Sequence, residues 1–427
     1  MNKKFICSIL LAMACVGAWS QSGTNSPYSQ YGLGILSDQS QGFSRGMNGA
    51  ALGIRQGNVA NTLNPASYSA VDSLTMIFDV GMSGQTTNFK EGSMKVNANN
   101  ANFEYALCLF RLAKGLGASF GVLPYSNVGY KYTSSTFLDR TNGTVTETYS
   151  GEGGLHQAFF GIGGNLFRNL SVGANFSYLW GSLDKVVVSS STTYINSLSK
   201  SYSASVNNYK LDFGLQYTLP CSKDDDLTIG ATFGLGHKLK ADAQCDVINV
   251  RTSGTSDTTS VVISDALELP MSYGVGFAWR HANKLIVDAD VSMQQWGKVK
   301  MPGYDAKQNT YALRDDLLKD RWAVAVGADY VPDWMSPRNY LKRVHYRAGI
   351  GYATSYYNIN GANGPKELSV SAGFGLPLLN GYNNRSVLNV SAQWVHTSAT
   401  GLIKENTFRI NLGLTFNERW FFKWKID

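Results

Sequence analysis

Apolar and polar residues alternate with a period of two near the C-terminus of the chain. The apolar residues at every second position are Phe408, Ile410, Leu412, Leu414 and Phe416. Successive side chains of a β-strand point to opposite faces, so this spacing predicts a strand with one apolar face. The residues between them are small or polar, so the opposite face of the same strand suits water.

The same alternation recurs along the chain and predicts fourteen strands. These segments lie near residues 74–84, 101–113, 116–133, 154–166, 168–183, 205–218, 226–239, 267–279, 283–298, 319–331, 342–357, 366–377, 385–396 and 406–418. Short links, such as those at 114–115 and 281–282, alternate with long polar links. The long links are 85–100, 134–153, 184–204, 240–266 and 299–318. Outer-membrane barrels have an even number of strands, short periplasmic turns and long extracellular loops, so this alternation is typical of them.

The remaining classes of fold explain the pattern less well. Beyond residue 20 no run of about 18 or more apolar residues occurs, so the sequence offers no membrane-spanning helix. A soluble β-sandwich or propeller gives no reason for links that alternate in length. Lipid cannot hydrogen-bond a free strand edge, so strands that cross a membrane must close into a cylinder. The sequence therefore predicts an all-β, fourteen-stranded antiparallel transmembrane β-barrel of the bacterial outer membrane.

The first twenty residues have the features of a secretory signal peptide. Lys3 and Lys4 form a basic start, residues 5–16 are apolar, and small residues precede a cut before Gln21. A lipoprotein signal ending at Cys15 is the alternative, but the leucine expected three residues before such a cysteine is missing. We therefore predict a signal peptide at residues 1–20.

Residues 21–73 follow a different pattern from the strands. They are rich in Gly, Ser, Asn and Gln, with short apolar patches such as residues 49–54. Fourteen strands enclose a lumen that is too wide for wall side chains alone to fill. The segment is therefore predicted to be a hatch inside the barrel, with a disordered periplasmic tail as the alternative. Residues 74–427 are assigned to the barrel and a short periplasmic C-terminal tail, which contains Trp420 and Trp424.

Composition and charge narrow the classes of partner. Charged residues make up 16% of the chain, whereas soluble domains contain about 25%. The net charge of +7 comes from scattered Lys and Arg, not from one clustered face, so nucleic acid is not an expected partner. A basic periplasmic rim that faces anionic headgroups is the simpler explanation, and outer-membrane lipid is therefore an expected partner.

Motifs of enzymes and metal sites are missing from the sequence. It contains no HExxH, no GxSxG and no phosphate-binding glycine loop, and its five histidines are dispersed. We therefore expect no enzyme activity, no cofactor and no metal site. The run at residues 224–226 is read as solvated carboxylates, or as a weak cation binder without EF-hand spacing. After the signal, Cys108, Cys221 and Cys245 remain, and this odd number predicts free thiols.

Two short stretches resemble a known family. Residues 45–53, RGMNGAALG, and residues 61–67, NTLNPAS, resemble the N-terminal hatch of the FadL and TodX type of outer-membrane transporter for hydrophobic compounds. A divergent branch is indicated by residues 26–34, SPYSQYGLG. The motifs cover about 25 residues, and the rest of the likeness is architectural. The resemblance implies fourteen strands and a hatch; members of related branches act as accessory barrels in larger outer-membrane machines.

The resemblance also assigns roles to residues of the hatch and the wall. It implies that Asn64, Pro65 and Ala66 form a hatch turn whose movement opens a path to the periplasm; a plain turn is the alternative. Proline cannot donate a ladder hydrogen bond, so Pro124, with Gly121 nearby, marks a break in the third strand. In the family a kink there makes a lateral gap in the wall. A bulge above the lipid zone is the alternative for this chain.

Charged residues at inward positions are candidates for contact with a ligand. They are Asp79, Glu104, Lys210, Asp212, Asp288, Asp290, Arg321, Asp329, Arg347 and Arg409. Arg347 and Arg409 are the candidate anchors for a carboxylate, because guanidinium binds carboxylate through two hydrogen bonds. The alternative is an ordinary polar lumen in which opposite charges pair.

Two functions follow from these expectations. The first is passive uptake of small, fatty-acid-like hydrophobic molecules through a hatch-gated lumen. The alternative is a non-transporting subunit of an outer-membrane complex for secretion or barrel assembly, with outer-membrane proteins as partners. A continuous apolar pocket between hatch and wall favours uptake. A sealed lumen with an apolar surface outside the membrane favours the subunit.

Overall fold

The structure is a computed structural model that describes residues 23–73, 75–138, 143–191, 197–251, 255–305, 310–378 and 386–419. The predicted signal peptide at residues 1–20, the alternative lipidation at Cys15 and the tail at 420–427 lie outside the described residues. In the described part of the chain, no helix is long and apolar enough to cross a membrane.

Fourteen antiparallel strands form the wall of a closed barrel. They are β1 Thr75–Glu91, β2 Met94–Ala113, β3 Leu116–Leu138, β4 Gly143–Asn165, β5 Leu170–Ser191, β6 Ser197–Pro220, β7 Asp225–Gly234, β8 Ser272–His281, β9 Leu285–Gln294, β10 Arg321–Tyr330, β11 His345–Ala353, β12 Lys366–Pro377, β13 Val387–Ser398 and β14 Lys404–Arg419. Each strand pairs with its neighbours in the chain. β1 also pairs with β14, from Thr75 opposite Arg419 to Lys90 opposite Lys404, which closes the cylinder. The predicted fold class and strand number are confirmed.

Strand β14 shows how the alternation divides the two faces of the wall. Phe408, Ile410 and Leu412 are 52%, 46% and 42% exposed on the outside, whereas Asn411 and Thr415 are buried inside. An outer face of this kind suits the apolar band of about 25 Å in which outer-membrane barrels sit.

The wall is much taller on one side than on the other. Strands β3 to β6 contain 22 to 24 residues, and strands β7 to β13 contain only 9 to 12. At about 3.3 Å per residue the long strands measure about 75 Å, more than an apolar band requires. They therefore extend beyond the membrane at the end with the long links. We call this the extracellular end, and the opposite end the periplasmic end.

Several predicted loops are in fact strands, so the expectation of long polar loops was wrong. β1 and β2 stay paired up to Glu91 opposite Met94, in the segment predicted as loop 85–100. Most of 134–153 and 184–204 also lies in strands. The loop predicted at 240–266 contains the hairpin Ala243–Val250 and Ser256–Ile263, which extends β6. These extensions lie beyond the lipid-facing part of the wall, so they lack the apolar alternation by which strands were recognised.

The predicted alternation of link lengths also fails between β10 and β11. The link at 331–344, between β10 and β11, is long although it lies at the periplasmic end, and it contains the short 3-10 helix Tyr340–Arg343.

The predicted strand at 226–239 is divided, since β7 ends at Gly234 and His237–Leu239 pairs instead with Leu267–Leu269. Smaller elements at the extracellular end are the 3-10 helix Trp296–Lys298 and the ribbons Met301–Asp305 with Thr310–Arg314 and Asn358–Ile359 with Ala362–Asn363.

The N-terminal segment, residues 23–73, lies within the barrel and has little regular structure. Its elements are the 3-10 helix Pro27–Gln30, the strand Ile35–Leu36, the helix Gly42–Arg45 and the 3-10 helix Pro65–Ala70. Both 3-10 helices begin with proline, which lacks the N–H group that would be left unbonded there. Ser26 and Asn64 cap them by accepting from the backbone N–H groups of Tyr28 and Ala66. We call residues 40–73 the hatch and residues 23–39 the N-terminal strap.

Candidate functional site

A cavity of about 510 Å³ occupies the lumen between the hatch and the extracellular end. Its lining includes charged residues of both signs from widely separated strands. These are Glu104, Lys210, Asp212, Arg321, Glu405 and Arg409. Burying an apolar molecule against charged groups would strip them of water without replacing their hydrogen bonds, which is unfavourable. The lining also contains apolar side chains, among them Leu36, Leu123 and Phe159, so the cavity is mixed in character, and its charged groups oppose the burial of a hydrocarbon.

An apolar cluster closes the lumen at the extracellular end. Strap residues Tyr28 and Leu33 pack there with Trp296 and Tyr356, which follow β9 and β11, and with Leu267. The rings of Trp296 and Tyr356 lie 4.7 Å apart between centroids, and Trp296 is fully buried. Together these side chains form a roof over the cavity.

The floor of the cavity is the hatch, which lies directly against glycines of the wall. A Cβ added at any of several inward glycines would overlap hatch atoms, so only glycine permits this approach. They are Gly163 and Gly173 against Pro65, Gly214 against Asn64 and Pro65, Gly230 against Leu52, and Gly327 and Gly349 against Met47. These contacts help explain the 44 glycines of the sequence.

One loop of the hatch is held from both sides by polar wall residues. Gln216, Gly230, Gly276 and Asp290 lie in one row across β6 to β9. Gln216 Nε2 donates to the carbonyl oxygens of Leu52 at 3.0 Å and Ile54 at 3.1 Å. Asp290 Oδ2 accepts from the N–H groups of Ala51 at 2.7 Å and Leu52 at 2.9 Å. The two glycines leave the space in which the loop lies.

A buried ion pair fixes the helix of the hatch to the wall. Arg45 Nη2 lies 2.9 Å from Glu104 Oε2, and the two side chains are only 3% and 8% exposed. Arg45 also donates to Asn411 Oδ1 at 3.1 Å. Burial raises the pKa of the nearby Asp38 carboxyl, but the Arg45 guanidinium and hydrogen bonds with Ser40 outweigh burial and hold that pKa below its usual value.

Asn64, Pro65 and Ala66 form a buried turn of the hatch. Asn64 Oδ1 accepts from the Ala66 N–H at 3.2 Å, and its Nδ2 donates to Leu52 O at 2.9 Å and Leu215 O at 3.1 Å. All three residues are buried. The structure thus shows the cap and turn contacts of this motif, and its proposed movement would require breaking them.

The wall has a seam between β2 and β3, which Pro124 and Gly121 flank. In the described part of these strands their pairing ends at Ala106 opposite Val122, one residue beyond Gly121. β3 remains paired to β4, with a shift in register between Pro124 and Ser126. Above Val122, β2 pairs only with β1, so the edges of β2 and β3 separate.

The strap fills this seam and bonds to both of its edges. Ile35 and Leu36 pair with Asn127 and Ser126 of β3, and the Gly129 N–H donates to Ser29 Oγ at 3.1 Å. On the β2 side, Asn102 Nδ2 donates to Gly23 O at 3.0 Å, and Asn25 Nδ2 donates to Asn100 Oδ1 at 3.2 Å. The strap therefore stands where the two strands would otherwise pair, and it also borders the cavity.

The two candidate carboxylate anchors lie in different environments. Arg347 is buried beneath the hatch, 3.4 Å from Asp329 Oδ2 and 2.6 Å from Asn389 Oδ1, so its charge is already compensated. Arg409 lines the cavity and donates to Gln85 Oε1 at 3.0 Å. The structure does not bring them together, and Arg409 is the one that faces the open volume.

The sequence analysis did not predict the strap strand, and it did not predict the contacts that Gln216 and Asp290 make with the hatch. Ile35–Leu36 is only two residues long and carries no periodicity. Asp290 was placed inward correctly, but its hatch partner lies 239 residues away in the chain, so no local signal reveals it. A carboxylate opposite small residues on both neighbouring strands, here Gly276 and Ala325, would have been a usable clue.

Comparisons with known proteins address fold and family separately. Among solved structures, the toluene transporter TbuX of Ralstonia pickettii has a TM-score of 0.61, with 14% identity over 88% of this chain and 98% of that chain. The toluene transporter TodX of Pseudomonas putida has a TM-score of 0.60, with 17% identity over 90% of this chain and 100% of that chain. A Pseudomonas aeruginosa FadL homologue has a TM-score of 0.60, with 11% identity over 90% and 99%. At such identities these likenesses establish the FadL-type fold and nothing more.

The family follows from a sequence comparison over the full length. Comparison with curated protein sequences found no match. The family model described as BamG matches residues 1–427. A match of this extent includes the hatch, the strap and every strand of the wall. The chain therefore belongs to the BamG family, and its barrel has the fold of FadL-type channels.

Proposed function

We propose that this protein is a sealed barrel of the bacterial outer membrane that serves as a non-transporting subunit of a larger membrane complex. The observation that carries the proposal is the lumen. Charged groups of both signs line its cavity beside apolar side chains, an apolar cluster packs above it, and the hatch lies against the wall below it. A hydrophobic solute would find no continuous apolar path through the described residues.

The periplasmic link at 331–344 supports a role as a subunit. Trp334, Met335 and Leu341 are 55%, 68% and 65% exposed there, outside the strands of the wall. The link is held in shape by internal hydrogen bonds, among them Asp333 N to Lys342 O at 2.8 Å, so these apolar groups are presented on ordered backbone. Exposed apolar clusters of this kind mark sites of protein or membrane contact.

Uptake of hydrophobic molecules is the second candidate, and the seam is the observation that favours it. The cavity reaches strap residues Ile35 and Leu36 and the seam residue Pro124. If the strap left the seam, the cavity would open sideways through the wall between β2 and β3. Transport would then require a signal that displaces the strap, a ligand able to enter a cavity lined by charged groups, and movement of Asn64, Pro65 and Ala66.

Extraction from native membranes in mild detergent tests the proposal. We expect the wild-type barrel to migrate with partner proteins in fixed stoichiometry by native mass measurement. Replacing Trp334, Met335 and Leu341 by serine should reduce that species to the free barrel. Met94→Ser with Val96→Ser is the matched control, because these residues are 67% and 63% exposed at the opposite end. A wild-type barrel that is monomeric and carries a bound hydrophobic molecule would instead support uptake.

A further inference from the structure

Two carboxylates on β9 are buried without any compensating charge. Asp288 is fully buried, and neither of its carboxylate oxygens has a hydrogen-bond partner. Asp290 is 7% exposed; its Oδ2 holds the hatch loop, and its Oδ1 has no partner. The two groups lie side by side, and neither belongs to a salt bridge among the described residues.

The neighbouring strands cannot supply what is missing. Asp288 faces Ala278 on β8 and Gly327 on β10, and Asp290 faces Gly276 and Ala325. None of these four residues has a side chain that could donate a hydrogen bond or carry a positive charge. Burying an uncompensated pair of carboxylates would be strongly unfavourable. The pair must therefore be neutralised either by a bound cation or by a shared proton.

We propose that Asp288 and Asp290 bind one divalent cation of the magnesium or calcium type. Three carboxylate oxygens without partners are available to it: both of Asp288 and Oδ1 of Asp290. Asp290 also lines the cavity, so water from the cavity can complete the coordination shell. Magnesium commonly binds proteins through one or two carboxylates and keeps several waters. No group of three or more metal-ligating side chains lies close together in the described part of the chain, which agrees with a shell completed by water.

The cation would connect the wall to the hatch. Asp290 would use one oxygen for the ion and the other for the N–H groups of Ala51 and Leu52. Removing the ion would leave two repelling carboxylates beside the loop and weaken its attachment. The ion is therefore inferred to stabilise the seated position of the hatch, and this inference is independent of whether the barrel transports or assembles.

Metal titration of the purified full-length barrel tests the inference. The barrel is stripped with chelator, and its unfolding temperature is followed by heat-modifiable gel migration as Mg²⁺ or Ca²⁺ is added at fixed pH. The number of bound Mn²⁺ ions is counted separately by electron paramagnetic resonance. We expect one ion per barrel and a saturable rise in unfolding temperature. Asp288→Asn should weaken binding at least tenfold.

The control variant is Glu91→Gln, which removes an exposed carboxylate from the extracellular end of β1 and should leave ion binding unchanged. A wild-type barrel that binds no Mn²⁺ and is indifferent to Mg²⁺ and Ca²⁺ would overturn the inference, and would show that the pair shares a proton instead. Unchanged affinity in Asp288→Asn would overturn it equally. Should that variant fail to fold, the ion count of the wild-type barrel decides by itself.

Discussion

Replacing Arg45 by alanine should detach the helix of the hatch while leaving the wall intact. The Arg45–Glu104 pair is 2.9 Å apart, with side chains 3% and 8% exposed, so its loss leaves the Glu104 carboxylate buried without its ion-pair partner, and among the described residues only the Ser83 hydroxyl still donates to it. Breaking a buried pair in this way costs about 3–5 kcal/mol. At about 1.4 kcal/mol per factor of ten, the opened state of the hatch would become roughly 100- to 4,000-fold more populated.

Hydrogen exchange measured by mass spectrometry in detergent provides the assay. Peptides that cover residues 40–48 should exchange roughly 100-fold faster or more in Arg45→Ala, since exchange tracks local opening. Peptides from β14 should be unchanged. The double variant Arg45→Met with Glu104→Leu removes both charges and should restore much of the protection. Exchange within twofold of the wild-type rate in Arg45→Ala would refute the reasoning that this pair fixes the hatch.

Three further predictions concern the hatch and the strap. Gly230→Val should lower the unfolding temperature, because the added side chain overlaps the Leu52 carbonyl, whereas Gly84→Ala, which meets nothing within 4 Å, should not. Tyr68→Ala should destabilise the barrel by about 3–5 kcal/mol in denaturant unfolding, because it empties a fully buried site. Tyr68→Phe loses only the hydrogen bond to Asn175 and should cost about 1 kcal/mol. Ile35→Pro should loosen the strap, because proline cannot donate a ladder hydrogen bond to β3. In a Cys221→Ser background, it should therefore speed the maleimide labelling of an Asn127→Cys reporter. Equal labelling rates with and without Ile35→Pro would show that the strap does not cover the seam.

The barrel could be predicted from sequence because lipid imposes a strict rule on the wall. Every strand that faces the membrane needs apolar residues at alternate positions, and β14 displays them without interruption. The rule applies only to the part of the wall that faces lipid. The upper parts of β3 to β6 extend beyond the lipid, so their Thr- and Ser-rich segments were predicted as loops although they stay paired.

The candidate site could be predicted only in part, for a different physical reason. The inward direction of Asp290, Glu104 and Arg409 follows from strand periodicity alone. Their partners do not, because the hatch has no regular period and its contacts join residues far apart in the chain. Arg45 lay within the stretch that resembles the family hatch, yet its pairing with Glu104 needed coordinates. Likewise, Pro124 indicated an irregularity in β3, but the strap that fills the seam beside it gave no sequence signal.

Uptake by whole cells tests the sealed lumen most directly. Gram-negative cells that lack their own fatty-acid transporter would carry this barrel or an empty vector, and the initial rate of uptake of a radiolabelled long-chain fatty acid would be measured at equal barrel abundance. The closed roof, the charge-lined cavity and the seated hatch predict equal rates in the two strains. Uptake several-fold faster with the wild-type barrel would contradict a non-transporting role.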